Sequence, residues 1–119
     1  MKRKSWRFIQ EDGMNIYKME AILRHYDEFR ALYESEGIDE IPIGAGYTVN
    51  IHDILKGINE LPKRQKTALI LTCLMNLKEI DAAPLMGFKK WTSPVSSYKK
   101  LALEKLVERW KEENEKDDE

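Results

Sequence analysis

Side chains that catalyse reactions or bind metal ions are few in this sequence and are poorly spaced for either task. The two histidines, His25 and His52, lie far apart and lack a paired ligand spacing. Asp27-Glu28 and Asp39-Glu40 are adjacent acids, which we interpret as part of a solvated face. Adjacent residues on a helix point in different directions, so Asp27-Glu28 does not form an acid–base pair. Cys73 is the only cysteine, which excludes an internal disulfide and a cysteine-rich zinc cluster. We therefore predict no catalytic residue, metal site or cofactor, and we do not expect an enzyme.

Basic side chains are concentrated in residues 61–111, which carry eleven basic and four acidic groups and a net charge of +7. Residues 1–9 are also basic, whereas residues 10–60 and 112–119 have net charges of −7 and −5. A basic block between acidic flanks indicates a surface that meets a polyanion. A solvated lysine-rich face is the alternative interpretation of the same pattern.

Length and composition fit one compact domain or one domain with an appended arm. The chain has 119 residues, of which 34% are charged and 42% hydrophobic. No stretch approaches twenty apolar residues, so we predict no membrane span. No apolar signal core follows the basic N-terminus, and we therefore expect a cytoplasmic location.

The N-terminal half is predicted to hold an arm, one helix and a loop. Residues 1–13 form a basic arm whose aromatic residues we expect to pack on the core, with entry into a nucleic-acid groove as the alternative. Residues 14–49 contain an amphipathic helix over residues 14–35 and then a Gly/Pro loop or short hairpin. We interpret the apolar stripe of this helix as core, while a homodimer through this first helix stays open.

The C-terminal half is predicted to be a separate helical unit over residues 50–111, followed by a frayed acidic tail at 112–119. Asn50 is a good helix cap, and Leu61-Pro62 ends one helix and starts the next. Cys73 is expected to be buried in that next helix, and Gly87 to supply the turn after a short helix. The predicted boundaries of the last three helices are 62–75, 77–86 and 94–111, with Ser93 as the cap of the last.

Two helices joined by a tight turn, with polar and basic residues at the front of the second, have the physical form of a helix-turn-helix. The DNA major groove admits one such helix, and lysines at its flanks gain affinity through counterion release. The short hydroxyl side chains of Ser96 and Ser97 allow close approach to bases or phosphates. We expect Ser96, Ser97, Lys99 and Lys100 on the exposed side of the last helix, and Trp91 and Trp110 to be packing residues.

The landmarks of this unit resemble region four of bacterial sigma factors. Leu61-Pro62-Lys63-Arg64-Gln65 is similar to the opening of that region, and Leu85-Met86-Gly87-Phe88 falls at the family's distance for the turn. Ala102–Leu106 is similar to part of the recognition helix. The resemblance covers about residues 50–110, nearly half of the chain.

The resemblance implies a transcription regulator that binds duplex DNA and also contacts RNA polymerase. It places Ser96, Ser97 and Lys100 where the family reads bases. The residues that it places against the DNA backbone, or close to it in the turn and recognition helix, are Lys63, Arg64, Gln65, Lys89, Lys90 and Lys99.

The chain departs from the family at three features. Pro84 lies inside the first helix of the motif, where it should remove a hydrogen bond and kink or shorten the helix. The turn is two residues longer, and Lys99 stands where the family has a core leucine, so that Tyr98 is the candidate to pack instead. These departures leave the target DNA sequence unpredicted.

These features together predict an all-α fold, a small helical domain with a C-terminal helix-turn-helix and an N-terminal helical extension. Nothing before residue 50 resembles the rest of a sigma factor, and short regulators of this kind are often encoded by phages. One alternative is a protein-interaction module that acts on RNA polymerase or a sigma factor without reading bases. Another is a DNA-packaging adaptor similar to a small terminase subunit, with the first helix serving oligomerisation.

Overall fold

The protein is seen in a computed structural model that describes residues 13–114. This part of the chain is mostly helical and contains a single small antiparallel sheet. The elements in chain order are α1 Ile16–Arg24, α2 Tyr26–Glu36, β1 Glu40–Gly44, β2 Tyr47–Asn50, α3 Ile51–Asn59, α4 Lys63–Leu69, the π-helical segment Ile70–Leu74, α5 Glu79–Leu85 and α6 Ser93–Asn114. Within these residues no helix is long and apolar enough to cross a membrane.

The predicted single helix over residues 14–35 is wrong at its centre, because the chain leaves the helical conformation at His25. α1 begins after Asn15, whose side-chain oxygen accepts a hydrogen bond from the Lys18 amide at 2.9 Å. α1 packs on α6 and the π segment, whereas α2 contacts α3 and buries no residue completely. The two halves of the apolar stripe therefore face different partners. The buried residues of α1 are Met19, Ile22 and Leu23.

The Gly/Pro segment folds as a hairpin, one of the two predicted alternatives, so the fold is mostly helical rather than purely α-helical. The φ angles in the turn are positive at Gly44, Ala45 and Gly46, at 106°, 54° and 80°. The two glycines adopt this left-handed backbone without steric cost. β2 leads directly into α3, because the Asn50 side chain accepts hydrogen bonds from two amides of the first helical turn. The hairpin contributes three buried side chains to the core, Ile41, Ile43 and Val49.

The main core joins the regions that were predicted as the separate segments 14–49 and 50–111. Its buried residues come from α1, the hairpin, α3, α4, the π segment and α6. Trp110 of α6 lies edge-on to Tyr47, with ring centroids 5.2 Å apart, and its indole N–H donates to the Thr48 carbonyl at 3.0 Å. The hairpin is thereby attached to the C-terminal half of α6.

A second, smaller core holds the N-terminal half of α6 against α4 and α5. Its fully buried members are Ala68, Ala82, Ala83 and Val95. Small side chains allow the helices to approach closely, and partly buried Phe88 and Tyr98 cover the cluster at the turn. α6 therefore passes through both cores, and the same helix positions the hairpin at one end and the turn at the other.

Neither end of the chain is fully covered by the described residues. Residues 1–12 of the predicted basic arm and residues 115–119 of the predicted acidic tail lie outside them. Residues 112–114 continue α6 beyond the predicted boundary at residue 111. The helix begins at Ser93 itself, one residue before the predicted start, and the amide of Ser96 donates to the Thr92 carbonyl at 3.0 Å.

Candidate nucleic-acid interface

α5 and α6 are the two helices of the predicted helix-turn-helix, and residues 86–92 join them. Gly87 has φ +85°, and the Phe88 amide donates to the Ala83 carbonyl at 2.8 Å, which closes α5 in a Schellman-type turn. The Trp91 amide donates to the Phe88 carbonyl at 2.9 Å. The turn is thus held by its own backbone hydrogen bonds, and α6 starts from a defined position.

Pro84 lies in the last turn of α5, which spans seven residues rather than the ten predicted over 77–86. Proline has no N–H to donate to the Ile80 carbonyl, so the helix lacks one hydrogen bond there. The C-terminal end is capped normally, because the Met86 amide reaches the carbonyl of Ala82 at 3.1 Å. The proline accompanies a short α5 without preventing the turn.

Three side chains connect the start of α4, the turn and α6. The Arg64 guanidinium carbon lies 5.3 Å from the centroid of the Phe88 ring, a cation–π arrangement. The Phe88 ring stacks on Tyr98, with centroids 6.2 Å apart and an interplanar angle of 14°. This stack places Arg64 beside the turn, and Tyr98 packs against the smaller core, as one of the two alternatives predicted.

Six of the predicted DNA-contact residues have exposed side chains. They come from the first turn of α4, from the turn before α6 and from the front of α6, which are adjacent in the fold. Lys89 has a left-handed backbone with φ +57°. The six exposed residues are Lys63, Arg64, Lys89, Lys90, Ser97 and Lys100.

Ser96 and Lys99 do not lie on the exposed side of α6, which corrects that expectation. The Ser96 hydroxyl donates to Glu79 Oε1 at 2.6 Å, and Lys99 Nζ lies 3.2 Å from Glu79 Oε2. The Lys99 side chain is only 18% exposed. Both residues lie on the same helical face as the buried Leu103, and this face packs toward α5 and α1.

Glu79 is the centre of this contact. The hydrogen bond from Ser96, with Lys99 beside the carboxylate, holds the pKa of Glu79 below its usual value despite partial burial. Lys99 Nζ also lies 3.5 Å from Glu20 Oε2, and Glu20 forms an ion pair with Arg24 at 2.6 Å. Two acids and two bases thereby neutralise one another.

Gln65 is the remaining predicted contact. It is half-buried in the first turns of α4, and its side-chain oxygen is buried without a hydrogen-bond partner among the described residues. The structure therefore turns part of this side chain toward the protein, away from the exposed basic residues Lys63 and Arg64.

Trp91 contradicts the expectation that it is a packing residue. Its side chain is 72% exposed in the turn, whereas Trp110 is buried as expected. The sequence contained a signal for this difference, since Trp91 follows two lysines and precedes Thr92, whereas Trp110 continues an apolar helical stripe.

The two histidines considered first for chemistry lie outside this region, and each pairs with one of the acids considered beside it, His25 with Glu28 and His52 with Asp39. His25 Nδ1 lies 2.5 Å from Glu28 Oε1, and His52 contacts the Tyr33 ring edge-on with centroids 4.6 Å apart. Cys73 is fully buried, as predicted, and burial raises the pKa of its thiol. Among residues 13–114 no three His, Cys, Asp or Glu side chains are grouped so as to hold a metal ion.

Comparison of the chain with known proteins gives no family. No protein-family model, no curated protein and no solved structure matches it.

Proposed function

We propose that this protein is a sequence-specific DNA-binding transcription regulator built like region four of bacterial sigma factors. The observation that carries the proposal is the stack of Arg64, Phe88 and Tyr98, which gathers exposed basic residues of α4 and of the turn beside the start of α6. A single helix flanked by cations is the arrangement that a major groove accepts.

In this proposal the predicted contacts divide into two groups. Lys63, Arg64, Lys89 and Lys90 neutralise phosphates, which sets the register of the protein on the duplex. Ser97 and Lys100 lie one turn apart on the exposed side of α6 and read base edges. Ser96 and Lys99 act indirectly, since both are bound to Glu79 and fix the orientation of α6.

RNA polymerase is the second partner in the proposal. The resemblance to region four is its only support, and it assigns no individual residue of this chain to the polymerase. Co-purification of polymerase with the tagged protein in the presence of nuclease, followed by reconstitution from purified components, tests this contact.

Selection of bound duplexes from a random DNA library, with and without polymerase, tests the proposed function. We expect enrichment of a single motif, and we expect affinity for that motif to exceed affinity for scrambled duplex by about a thousandfold or more. Absence of binding to any duplex at low salt would show that the proposed function is wrong. Binding without enrichment would show that α6 does not read bases.

A protein-interaction module is the second candidate, and one observation favours it. Glu79 binds Ser96 and Lys99, so these two polar side chains at the front of α6 are not available to contact bases. α5 also exposes two large apolar side chains, with Ile80 54% and Leu85 66% exposed. Polymerase binding that is lost in Leu85→Asp, together with an absence of DNA affinity, would favour this candidate.

A further inference from the structure

The turn between α5 and α6 carries an aromatic ring that the proposed contacts do not use. At 72% exposure, Trp91 is the most exposed large apolar side chain in residues 13–114. A large apolar surface in contact with water is unfavourable, and burying it against a ligand recovers that free energy. Trp91 is therefore a candidate for a contact that forms only on binding.

The backbone beneath Trp91 is held in place on both sides. Its own amide donates to the Phe88 carbonyl at 2.9 Å, and α6 begins two residues later at Ser93. The Phe88 ring contacts both the Arg64 guanidinium and the Tyr98 ring. A ring on such a support loses less conformational entropy on binding than a ring on a free loop.

The surroundings of Trp91 favour a nucleic acid as the occupant. Lys89 and Lys90 precede it and both are exposed, and the Arg64 stack brings further positive charge to the same turn. An aromatic face bordered by cations is the combination with which proteins bind a nucleobase and its flanking phosphates. An apolar protein surface would use the ring but would leave these cations without partners.

We infer that the turn 89–91 binds an unstacked nucleobase, with Trp91 stacked on the base and Lys89 and Lys90 on its phosphates. Inside an intact duplex both faces of each base are covered by its neighbours, so the ring can reach a base face only where a base is unpaired. The inference rests on the proposed function for the duplex part of the target. It adds a preference for duplex DNA that carries an unpaired base next to the base pairs that α6 contacts.

The test uses the full chain and three labelled DNAs of the same sequence: a paired duplex, the duplex with one unpaired base, and the single strand. Fluorescence anisotropy gives the affinity for each DNA, and quenching of tryptophan emission reports stacking directly. The Trp91→Phe variant identifies the part of the emission that comes from Trp91, since the chain has three tryptophans. Tyr17→Ala is the matched control, because Tyr17 is an aromatic residue 70% exposed on α1.

We expect the unpaired base to raise affinity at least about 5-fold in the original protein and to quench Trp91. Trp91→Ala should abolish this preference, Trp91→Phe should retain part of it, and Tyr17→Ala should leave it unchanged. If Trp91→Ala binds each DNA as tightly as the original protein does, the inference is overturned while the proposed function stands. Failure to bind paired duplex, with Trp91-dependent binding of the single strand, would overturn the proposed function and support the stacking site. Absence of Trp91 quenching with all three DNAs would overturn the inference.

Discussion

The Ser96 hydroxyl donates a 2.6 Å hydrogen bond to Oε1 of Glu79 and so connects α6 to α5. The other oxygen of the same carboxylate lies 3.2 Å from Lys99 Nζ, one turn further along α6. A single side chain of α5 thus fixes α6 at two points. This contact determines which face of α6 remains available, and it leaves Ser97 and Lys100 exposed.

Replacing Glu79 by glutamine should destabilise the fold. Glutamine retains the shape and an acceptor for Ser96, but it removes the negative charge beside the mostly buried Lys99. We expect the free energy of unfolding to fall by about 1–2 kcal/mol, measured by chemical denaturation. Asp81→Asn is the matched control, since Asp81 is an exposed acid in the same first turn of α5, and it should change stability by less than about 0.5 kcal/mol. Equal effects of the two substitutions would refute the role given to Glu79.

The stability difference between the original protein and Glu79→Gln should also depend on pH. The pKa of Glu79 is lowered in the folded protein, so the folded state favours the charged carboxylate more than the unfolded state does. This contribution is complete at neutral pH, above the unfolded pKa of about 4.3, and is lost as the pH falls through the lowered folded value. The stability difference between the original protein and Glu79→Gln should therefore shrink toward acid pH in a denaturation series. A difference that stays constant with pH would contradict this assignment.

Gly87→Ala should lower stability through backbone strain alone. Gly87 has φ +85°, and a methyl group added there would meet no atom within 4 Å, so no steric clash contributes. We expect a loss of about 1–2 kcal/mol in the free energy of unfolding, because an L-residue is strained in the left-handed region. Gly87→Asn should cost less, since asparagine tolerates this conformation better. Thermal unfolding of the three proteins side by side decides the point, and a neutral Gly87→Ala would show that the turn can rearrange.

Lys63→Ala and Lys100→Ala should impair DNA binding in different ways. Lys63 is assigned to phosphate contact, so its loss should weaken binding to all sequences and reduce the slope of log affinity against log salt by about 1. Lys100 is assigned to a base edge, so its loss should relax preference at one position and cost about 1–3 kcal/mol on the selected site only. Anisotropy titrations on selected and scrambled duplexes at several salt concentrations separate the two effects. If the two variants showed the same dependence of affinity on salt and sequence, the assignment of Lys63 to the backbone and Lys100 to a base would be wrong.

Local signals in the sequence predicted much of the C-terminal half. Asn50 as a cap, Leu61-Pro62 as a boundary and Gly87 as a turn are set by hydrogen bonds and dihedral angles that involve only nearby residues. Periodicity correctly placed Trp110 in the core. Tyr98, raised as a packing residue by the resemblance rather than by periodicity, is partly buried against the smaller core. The same kind of signal failed at His25, because an apolar stripe shows that a helix is amphipathic but does not show where its partner ends.

Residue types and their spacing therefore determined the mostly helical class, the turn at Gly87 and the basic composition of residues 61–111. Only the tertiary structure decided which polar side chains of α6 stay free, because Glu79 lies seventeen residues before its partner Ser96. It also decided that Trp91 remains exposed and that residues 14–49 share one core with α6. Local backbone geometry is encoded within a few residues, whereas burial and ion pairing depend on which distant segments meet.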